Sequence, residues 1–432
     1  MIRSFGLALM AIAGMAVAQT GNYMPTNIAS TATALQAHQV QGEYFGVTSA
    51  GDTLGAWVVA KSSNSYALSI LPGGLVVIPG QTGGKWGGVT KYTGTATWNS
   101  TTNDYVVSTA AGFSTTSITG TGYNRVLNGT APGGATFALN RIIRKSPTLG
   151  LKPRASWSLS PMLDTASSWF DSAAAAANST AELAKWVNNG NNPSLNYGGY
   201  LYRGVKTKVT HNAGFLHIEM MGSFMPSATG QNRANSGVYL HGKYEAQVLD
   251  SYGLTGAWDE MGGIYKVSVP KTNAALPPMT WQTYDIWFSP RTSGSAGATP
   301  GAAVMTVYLN GVLVQDSVPV PTTTEAGETG SQTVASVLAL QAHGNEVVYN
   351  NIWFIPVEGA AIAHRQLVNA LPFDSLLVAA GATSIAPSVA ARNQIHGTFI
   401  GTDRYDLIGR RVGDKLAPQV ILPGVKSTSK DH

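Results

Sequence analysis

From residue 42 onward the chain reads as short runs of β-branched and aromatic residues broken by Gly, Asn, Ser and Pro. Ala56-Trp57-Val58-Val59-Ala60, Tyr66-Ala67-Leu68-Ser69-Ile70, Leu75 to Ile78 and Tyr105-Val106-Val107-Ser108 have strand length and strand composition. Turn residues such as Pro72-Gly73-Gly74 and Thr102-Asn103-Asp104 separate them, and this rhythm predicts a small all-β domain. Strands return from about residue 199. The most specific local signal is Val304 to Leu309, Asn310-Gly311 and Val312 to Val318, because Asn-Gly suits both positive-φ positions of a type I′ hairpin. Helix signals are few: Ser179-Thr180-Ala181-Glu182 fits a capping box, and a second helix is expected around Ala361 to Ala370.

These changes of pattern divide the chain. Arg3, the apolar run Phe5 to Val17 and the small residues Ala16-Val17-Ala18 read as a secretory signal peptide over 1–18, since the run is shorter than the ~20 apolar residues of a spanning helix. No later segment is long and apolar enough to span. Residues 19–41 are polar, Ala- and Thr-rich and lack strong periodicity, so they read as a linker. The all-β N-terminal domain occupies 42–150, and Arg141 to Pro153, with two prolines and four basic residues, reads as its boundary. A second domain follows over 151–358, and 359–432 is a C-terminal extension without an assigned role.

Strand periodicity gives the sharpest functional reading, because residues two apart share a face. His217 and Glu219 oppose Leu216, Ile218 and Met220, and Tyr239 and His241 oppose Val238 and Leu240. Glu245 and Gln247 alternate with Ala246 and Val248, and Gln341 and His343 oppose Leu338 and Leu340. Four strands thus offer paired polar groups that could line one concave cleft, with an ordinary solvated face as the rival reading. His, Glu, Gln and Tyr suit proton transfer, sugar-hydroxyl recognition or oxygen and nitrogen metal ligation. Trp258, in Gly256-Ala257-Trp258-Asp259-Glu260 ahead of Gly262-Gly263, is a loop candidate for stacking on a sugar ring. Asp250 faces away from Glu245 and reads as a turn residue.

Composition narrows the classes. Charged residues make up 11% of the 432 positions, against about 25% in an average soluble domain. The net charge of +5 is not gathered into a basic stripe with interleaved aromatics, so nucleic acid is not an expected partner. The chain has no cysteine, which removes disulfides, thiolate metal sites and thiol nucleophiles. No His-x-x-x-His spacing occurs, so no metal ligands are assigned and no cofactor is required, although a divalent ion stays open.

At this point the residues resemble a known family. Asn235-Ser236-Gly237-Val238-Tyr239-Leu240-His241-Gly242-Lys243-Tyr244-Glu245-Ala246-Gln247-Val248-Leu249-Asp250-Ser251-Tyr252-Gly253 is similar to the signature of the 3-keto-disaccharide hydrolase domain. In order follow Glu260 with Gly262-Gly263-Ile264-Tyr265, Pro277-Pro278 with Trp281-Gln282-Thr283-Tyr284-Asp285, Leu309-Asn310-Gly311, Leu340-Gln341-Ala342-His343-Gly344 and Tyr349-Asn350-Asn351-Ile352-Trp353. The likeness covers residues 155–357, and the domain ending in Ser146-Pro147-Thr148-Leu149-Gly150 resembles the leader of planctomycete-type secreted members. It implies a mainly β fold, a concanavalin-like β-sandwich (jelly roll) preceded by a small all-β domain. It also implies cleavage of glycosides already oxidised at C3, by hydrolysis or by elimination and hydration. Carried onto this chain, Glu245 is the base, His241 and Glu219 are proton relays, and Asn235, Tyr239, Gln247, Trp258, Gln341 and His343 contact substrate. Ala342 stands where the family usually has Asp, and Asn350 where it usually has Arg.

The reading is therefore a glycoside-cleaving enzyme, secreted or periplasmic (cell envelope), with a carbohydrate substrate. The alternative is a non-catalytic carbohydrate-binding or cell-envelope structural protein, which leaves envelope association open.

Overall fold

The computed structural model describes residues 21–153 apart from 26, 87–89, 102–103, 110–111 and 115–116, then 169–171, 205–293, 301–357 apart from 342, and 364–365, 368 and 377–379. These belong to one unit, Met1–Ile395, and a second unit, His396–His432, lies outside the described residues. The signal-peptide reading over 1–18, the capping box at 179–182, Ala342 and most of the extension beyond 358 also lie outside them.

Residues 32–40, expected within a linker, instead form helix α1, Ala32–Val40. Its cause is tertiary rather than periodic. Ala34, Ala37, His38 and Val40 are buried, Gln36 Nε2 donates to the Tyr105 hydroxyl at 3.0 Å, and His38 Nδ1 lies 3.0 Å from the Tyr123 hydroxyl. Eight antiparallel strands follow: β1 Gly42–Val47, β2 Thr53–Ala60, β3 Ser65–Pro72, β4 Tyr92–Asn99, β5 Asp104–Thr109, β6 Ser117–Thr121, β7 Asn124–Thr130 and β8 Thr136–Ile142. They form one sheet in the order β5-β4-β3-β2-β1-β8-β7-β6, curled until the edge strands β5 and β6 come close. Tyr66, Leu68 and Ile70 are buried along β3 while Ser65, Ala67 and Ser69 are half-exposed, the alternation of a one-sided sheet. Leu75 to Ile78 is not a strand; it is an irregular segment after the turn at Gly73-Gly74, with Leu75, Val76 and Ile78 buried and Val77 exposed.

Strand β9, Leu151–Pro153, leads into two facing five-stranded sheets. One contains β10 Trp169–Asp171, β11 Val205–Thr207, β18 Ala339–Leu340, β13 Ser236–Leu240 and β14 Tyr244–Val248, in that spatial order. The other runs β17 Val312–Val320, β16 Ala303–Leu309, β15 Gln282–Ser289, β12 Gly214–Gly222 and β19 Val347–Pro356. Leu216, Ile218, Met220, Tyr284, Ile286, Phe288, Met305 and Val307 from the second meet Val238, Leu240, Ala246, Val248 and Leu340 from the first in one core. The fold is therefore a β-sandwich preceded by an all-β sheet, and the same core also holds Trp57, Val59, Leu71, Leu75 and Val76 of that preceding sheet and its segment. No helix among the described residues is long and apolar enough to cross a membrane.

The expected hairpin is present. Leu309 pairs with Val312, and Asn310 and Gly311 take φ of 51° and 74°, as a type I′ turn requires. Its tip packs beneath Pro147 of the segment joining β8 to β9, and this contact leaves no room for a Cβ at Gly311. Gly133 also has a positive φ, 86°, but faces open space. Gly311→Ala should therefore destabilise the chain more than Gly133→Ala, the latter by about 1 kcal/mol from backbone strain alone and the former by an additional 1–3 kcal/mol, roughly, from overpacking. Urea unfolding of the two variants checks this, and equal losses would show that Pro147 yields freely.

Candidate functional site

The four polar pairs divide between two places. Strands β13 and β14 bring Tyr239 opposite Glu245, and Gly237 opposite Gln247, on the face turned away from the core. Gln341 joins them because its backbone N–H donates to Gly237 O at 2.9 Å, one step beyond the pairing of Tyr239 with Ala339. Its Nε2 donates to the Tyr239 hydroxyl at 3.1 Å, and that hydroxyl lies 3.1 Å from the Glu325 carbonyl it donates to. Glu245, only 2% exposed, faces the phenol across the β13–β14 pairing. Its side chain crosses over Gly237, where a Cβ would run into Oε1. The signature glycine at 237 is the space in which the carboxyl sits.

Burial pushes the Glu245 carboxyl up to about 8; the Tyr239 phenol opposes this rise and the Glu325 carboxylate adds to it. Burial likewise raises the Tyr239 phenol, which stays protonated. Beside Glu245, Gln247 Nε2 donates to Gln231 Oε1 at 3.0 Å and to the Asp259 carbonyl at 3.3 Å. Asn235 Nδ2 donates to Gln231 Oε1 at 2.9 Å, while Asn235 Oδ1 is buried and accepts nothing among the described residues. Trp258, exposed, meets Tyr265 edge-on at 5.2 Å, and Tyr265 N donates to the Glu245 carbonyl at 3.2 Å. The structure thus gathers Glu245, Tyr239, Gln247, Asn235 and Gln341, with Trp258 on the adjoining loop.

Two expected residues, His241 and Glu219, are elsewhere. His241 does not share the face of Tyr239: β13 ends at Leu240, and a left-handed φ of 55° turns the imidazole inward against Phe288, 4.8 Å away, and His211, 6.0 Å away. Burial lowers it to about 4, so it is neutral and remote from the role of relay to Glu245. His343 is exposed and makes no hydrogen bond among the described residues. Glu219, with His217, lies on the opposite sheet and on the face turned away from the sandwich core, so the four pairs do not line one cleft.

That outer face holds its own buried polar group. His217 Nδ1 lies 2.6 Å from Asp285 Oδ1, and Nε2 lies 3.5 Å from Glu219 Oε1, which also accepts from Gly150 N at 2.6 Å and Asn351 Nδ2 at 2.7 Å. Asn351 reaches this point through a bulge in the β12–β19 pairing, at a φ of 46°. Thr148 Oγ1 donates to Asp285 Oδ2 at 2.8 Å, and Trp353 stacks on the imidazole at 4.9 Å. Burial pulls His217 down, but Asp285 and Glu219 outweigh it and carry the imidazole up to about 9. Glu219 here fastens segment 146–152 to the sheet. Asp250, as expected, fixes a turn: it accepts from Arg233 Nη2 at 2.5 Å and from Tyr252 N at 3.2 Å.

Gln231 and Glu325 belong to the Glu245 neighbourhood without having been candidates, and Tyr265 of the Gly262-Gly263-Ile264-Tyr265 motif joins them there. Gln231 sits in a turn with no periodic signal, and Glu325 acts through its carbonyl and its ion pair with Lys266. No group of three or more His, Asp or Glu side chains that could hold a metal ion occurs among the described residues.

A buried carboxyl facing a phenol thus lies on the outward face of one sandwich sheet, and the family match makes this a carbohydrate-acting β-sandwich domain of the glycosidase type. Residues 177–355 match the family model of the 3-keto-alpha-glucoside-1,2-lyase-like domain, and through this domain the chain belongs to that family. A candidate glycosyl hydrolase from Parabacteroides distasonis ATCC 8503, solved at 2.13 Å, is 32% identical over 36% of this chain and 68% of its own, with a TM-score of 0.32. Another from the same organism, solved at 1.70 Å, is 15% identical over 36% of this chain and 74% of its own, with a TM-score of 0.24. No curated protein matches the chain.

Two measurements test this geometry. Gly237→Ala should displace the Glu245 carboxyl and lower stability by about 1–3 kcal/mol, the range for overpacking, and an unchanged urea midpoint would mean the carboxyl swings aside freely. His217 titrates at about 9 in the folded chain against 6.5 in the unfolded one, so its contribution is complete below pH 6.5 and is lost as pH rises through 9. The urea midpoint of the wild type should fall over that window, and more steeply than that of His217→Gln; equal slopes would place the source elsewhere.

Proposed function

We propose that the chain is an exported enzyme that cleaves 3-keto-α-glucosides by elimination across C1 and C2, with Glu245 as the base. The observation that carries this reading is a carboxyl raised to about 8 on the signature strand, facing a phenol and bordered by amides. A ketone at C3 acidifies the C2 proton. Glu245 takes that proton, the C2–H electrons form the enolate, and its collapse makes the C1–C2 double bond as the C1–O bond breaks. The departing oxygen takes a proton, and addition of water to the double bond would complete net hydrolysis. A base whose affinity for protons lies near neutrality suits such a proton transfer. Tyr239 and the Gln341 and Gln247 amides supply hydrogen-bonding groups for the enolate oxygen and ring hydroxyls. Asn235 Oδ1, buried and unanswered, suits a sugar hydroxyl donor. Export rests on Arg3 and the apolar run Phe5 to Val17.

A carbohydrate-binding protein without turnover is the second reading. It is favoured by Asn350, which supplies no cation where the resemblance leads one to expect Arg.

Purified chain is to be incubated with a 3-keto-disaccharide and with its unoxidised parent, with and without chelator, and products followed by mass. Cleavage of the keto sugar alone is expected, with kcat/KM rising through about pH 8 as the Glu245 carboxylate forms. Glu245→Gln should lower kcat by about 10²–10⁴-fold, the usual weight of a positioned base, with ligand affinity retained. Binding without cleavage of either sugar would leave the second reading, and full turnover by Glu245→Gln would remove Glu245 as the base.

A further inference from the structure

Segment 250–263 leaves the signature strand, carries Trp258, and supplies the Asp259 carbonyl on which Gln231 and Gln247 converge. Within the segment, Met261 N donates to Ser251 Oγ at 2.8 Å and Gly256 N to Glu260 Oε2 at 2.8 Å. Its other face rests on the preceding eight-stranded sheet. Val59 of β2 lies so close over Gly253 that a Cβ there would collide with Val59 Cγ2, and Gly253 also has a φ of 74°. That contact gives the last glycine of the signature a physical reason. Trp57, two residues earlier on the same face of β2, meets Tyr252 edge-on at 6.4 Å and Trp86 edge-on at 5.1 Å. The Lys91 ammonium sits 4.8 Å from the Trp57 ring centre and 5.5 Å from that of Trp86, and it donates to the Leu254 carbonyl at 3.4 Å. Asn273 Nδ2 closes the loop by donating to Leu254 O at 3.0 Å and Ser251 O at 2.7 Å.

We infer that Trp57, Trp86 and Lys91 form a clamp through which the N-terminal sheet positions segment 250–263, so that this sheet sets substrate affinity at the Glu245 site. This rests on the proposed function for its kinetic consequence but not for the clamp itself. A lysine between two indoles is favoured by cation–π attraction, and that attraction is strengthened by partial burial. Burial lowers the Lys91 ammonium and Glu260 opposes that fall, which places the loop's own carboxylate within electrostatic reach of the clamp. The three side chains do not touch the reacting group. They act through the loop, from Leu254 to Asp259 and from there to Gln247 beside Glu245.

The test uses the full chain as wild type, Lys91→Met and Lys91→Arg. Methionine keeps the apolar stem and removes the charge and the donor, whereas arginine keeps the cation over the rings. Hydrogen exchange is read at the Leu254, Gly256 and Met261 amides, with amides of β12 as the measure of global stability. Lys91→Met should speed exchange in the loop by about 10-fold or more while β12 is unchanged, and Lys91→Arg should restore protection. With a 3-keto-glucoside substrate, Lys91→Met should raise KM about 5-fold or more and leave kcat and its pH midpoint in place, as expected when binding geometry is lost but the base is not. Unchanged loop protection, or equal loss in the loop and in β12, would overturn the clamp. Altered loop exchange with an unchanged KM would keep the clamp and overturn its role in affinity. If no keto-glucoside is turned over, exchange still decides the clamp, and the failure then belongs to the proposed function.

Discussion

An imidazole held between two carboxylates inside a protein persists only where water is excluded and the spare lone pairs are answered. Segment 146–152 does both for His217. Thr148 donates to Asp285, Gly150 to Glu219, and Leu151 joins Phe215, Trp287 and Trp353 in an apolar cover over the same face. The chain enters this segment from Arg144, whose guanidinium is buried against Glu43 of β1 with Nε at 2.6 Å from the carboxylate. One stretch of chain therefore ends in the N-terminal sheet on one side and completes the sandwich on the other. Without it, β12, β15 and β19 would present a charged cluster and three large aromatic rings to solvent.

This dependence explains why alternation along the strands was informative and yet incomplete. His217 and Glu219 show the same period-two pattern as Glu245 and Gln247, and both pairs do lie on faces turned away from the sandwich core. Period two says which residues share a face, not what covers that face. The cover on β12 is contributed by residues more than sixty positions away, and their prolines and basic residues read as a boundary. His241 was misplaced for a different reason, since one left-handed residue at a strand end reverses the direction of its side chain. The Asn310-Gly311 hairpin was legible because its determinant is wholly local. Helix α1 was not, because its burial depends on Tyr105, Tyr123 and Phe224, which lie far along the chain. At the Glu245 site, motif resemblance located the strand and Tyr265, whereas Gln231 became visible only once segment 250–265 had folded back beside β14.

The sparing use of charge gives Glu245 its contrast. With 11% charged residues the chain has few ions to bury, and several of the buried ones are matched: Glu43 with Arg144, Asp250 with Arg233, and Asp285 and Glu219 with His217. Glu245 has no cationic partner among the described residues, and its nearest charged influence is the Glu325 carboxylate. A carboxyl used only for stability would gain from a cation, since an unpaired buried charge is costly. Here a phenol faces it from the paired strand, a neutral group that holds either protonation state without locking the ionised one. That leaves the proton exchangeable near neutral pH, which a structural ion pair would prevent. The same contrast separates the two polar groups of the sandwich: the His217 group joins segments together through its charges, and the Glu245 group leaves one acid uncommitted.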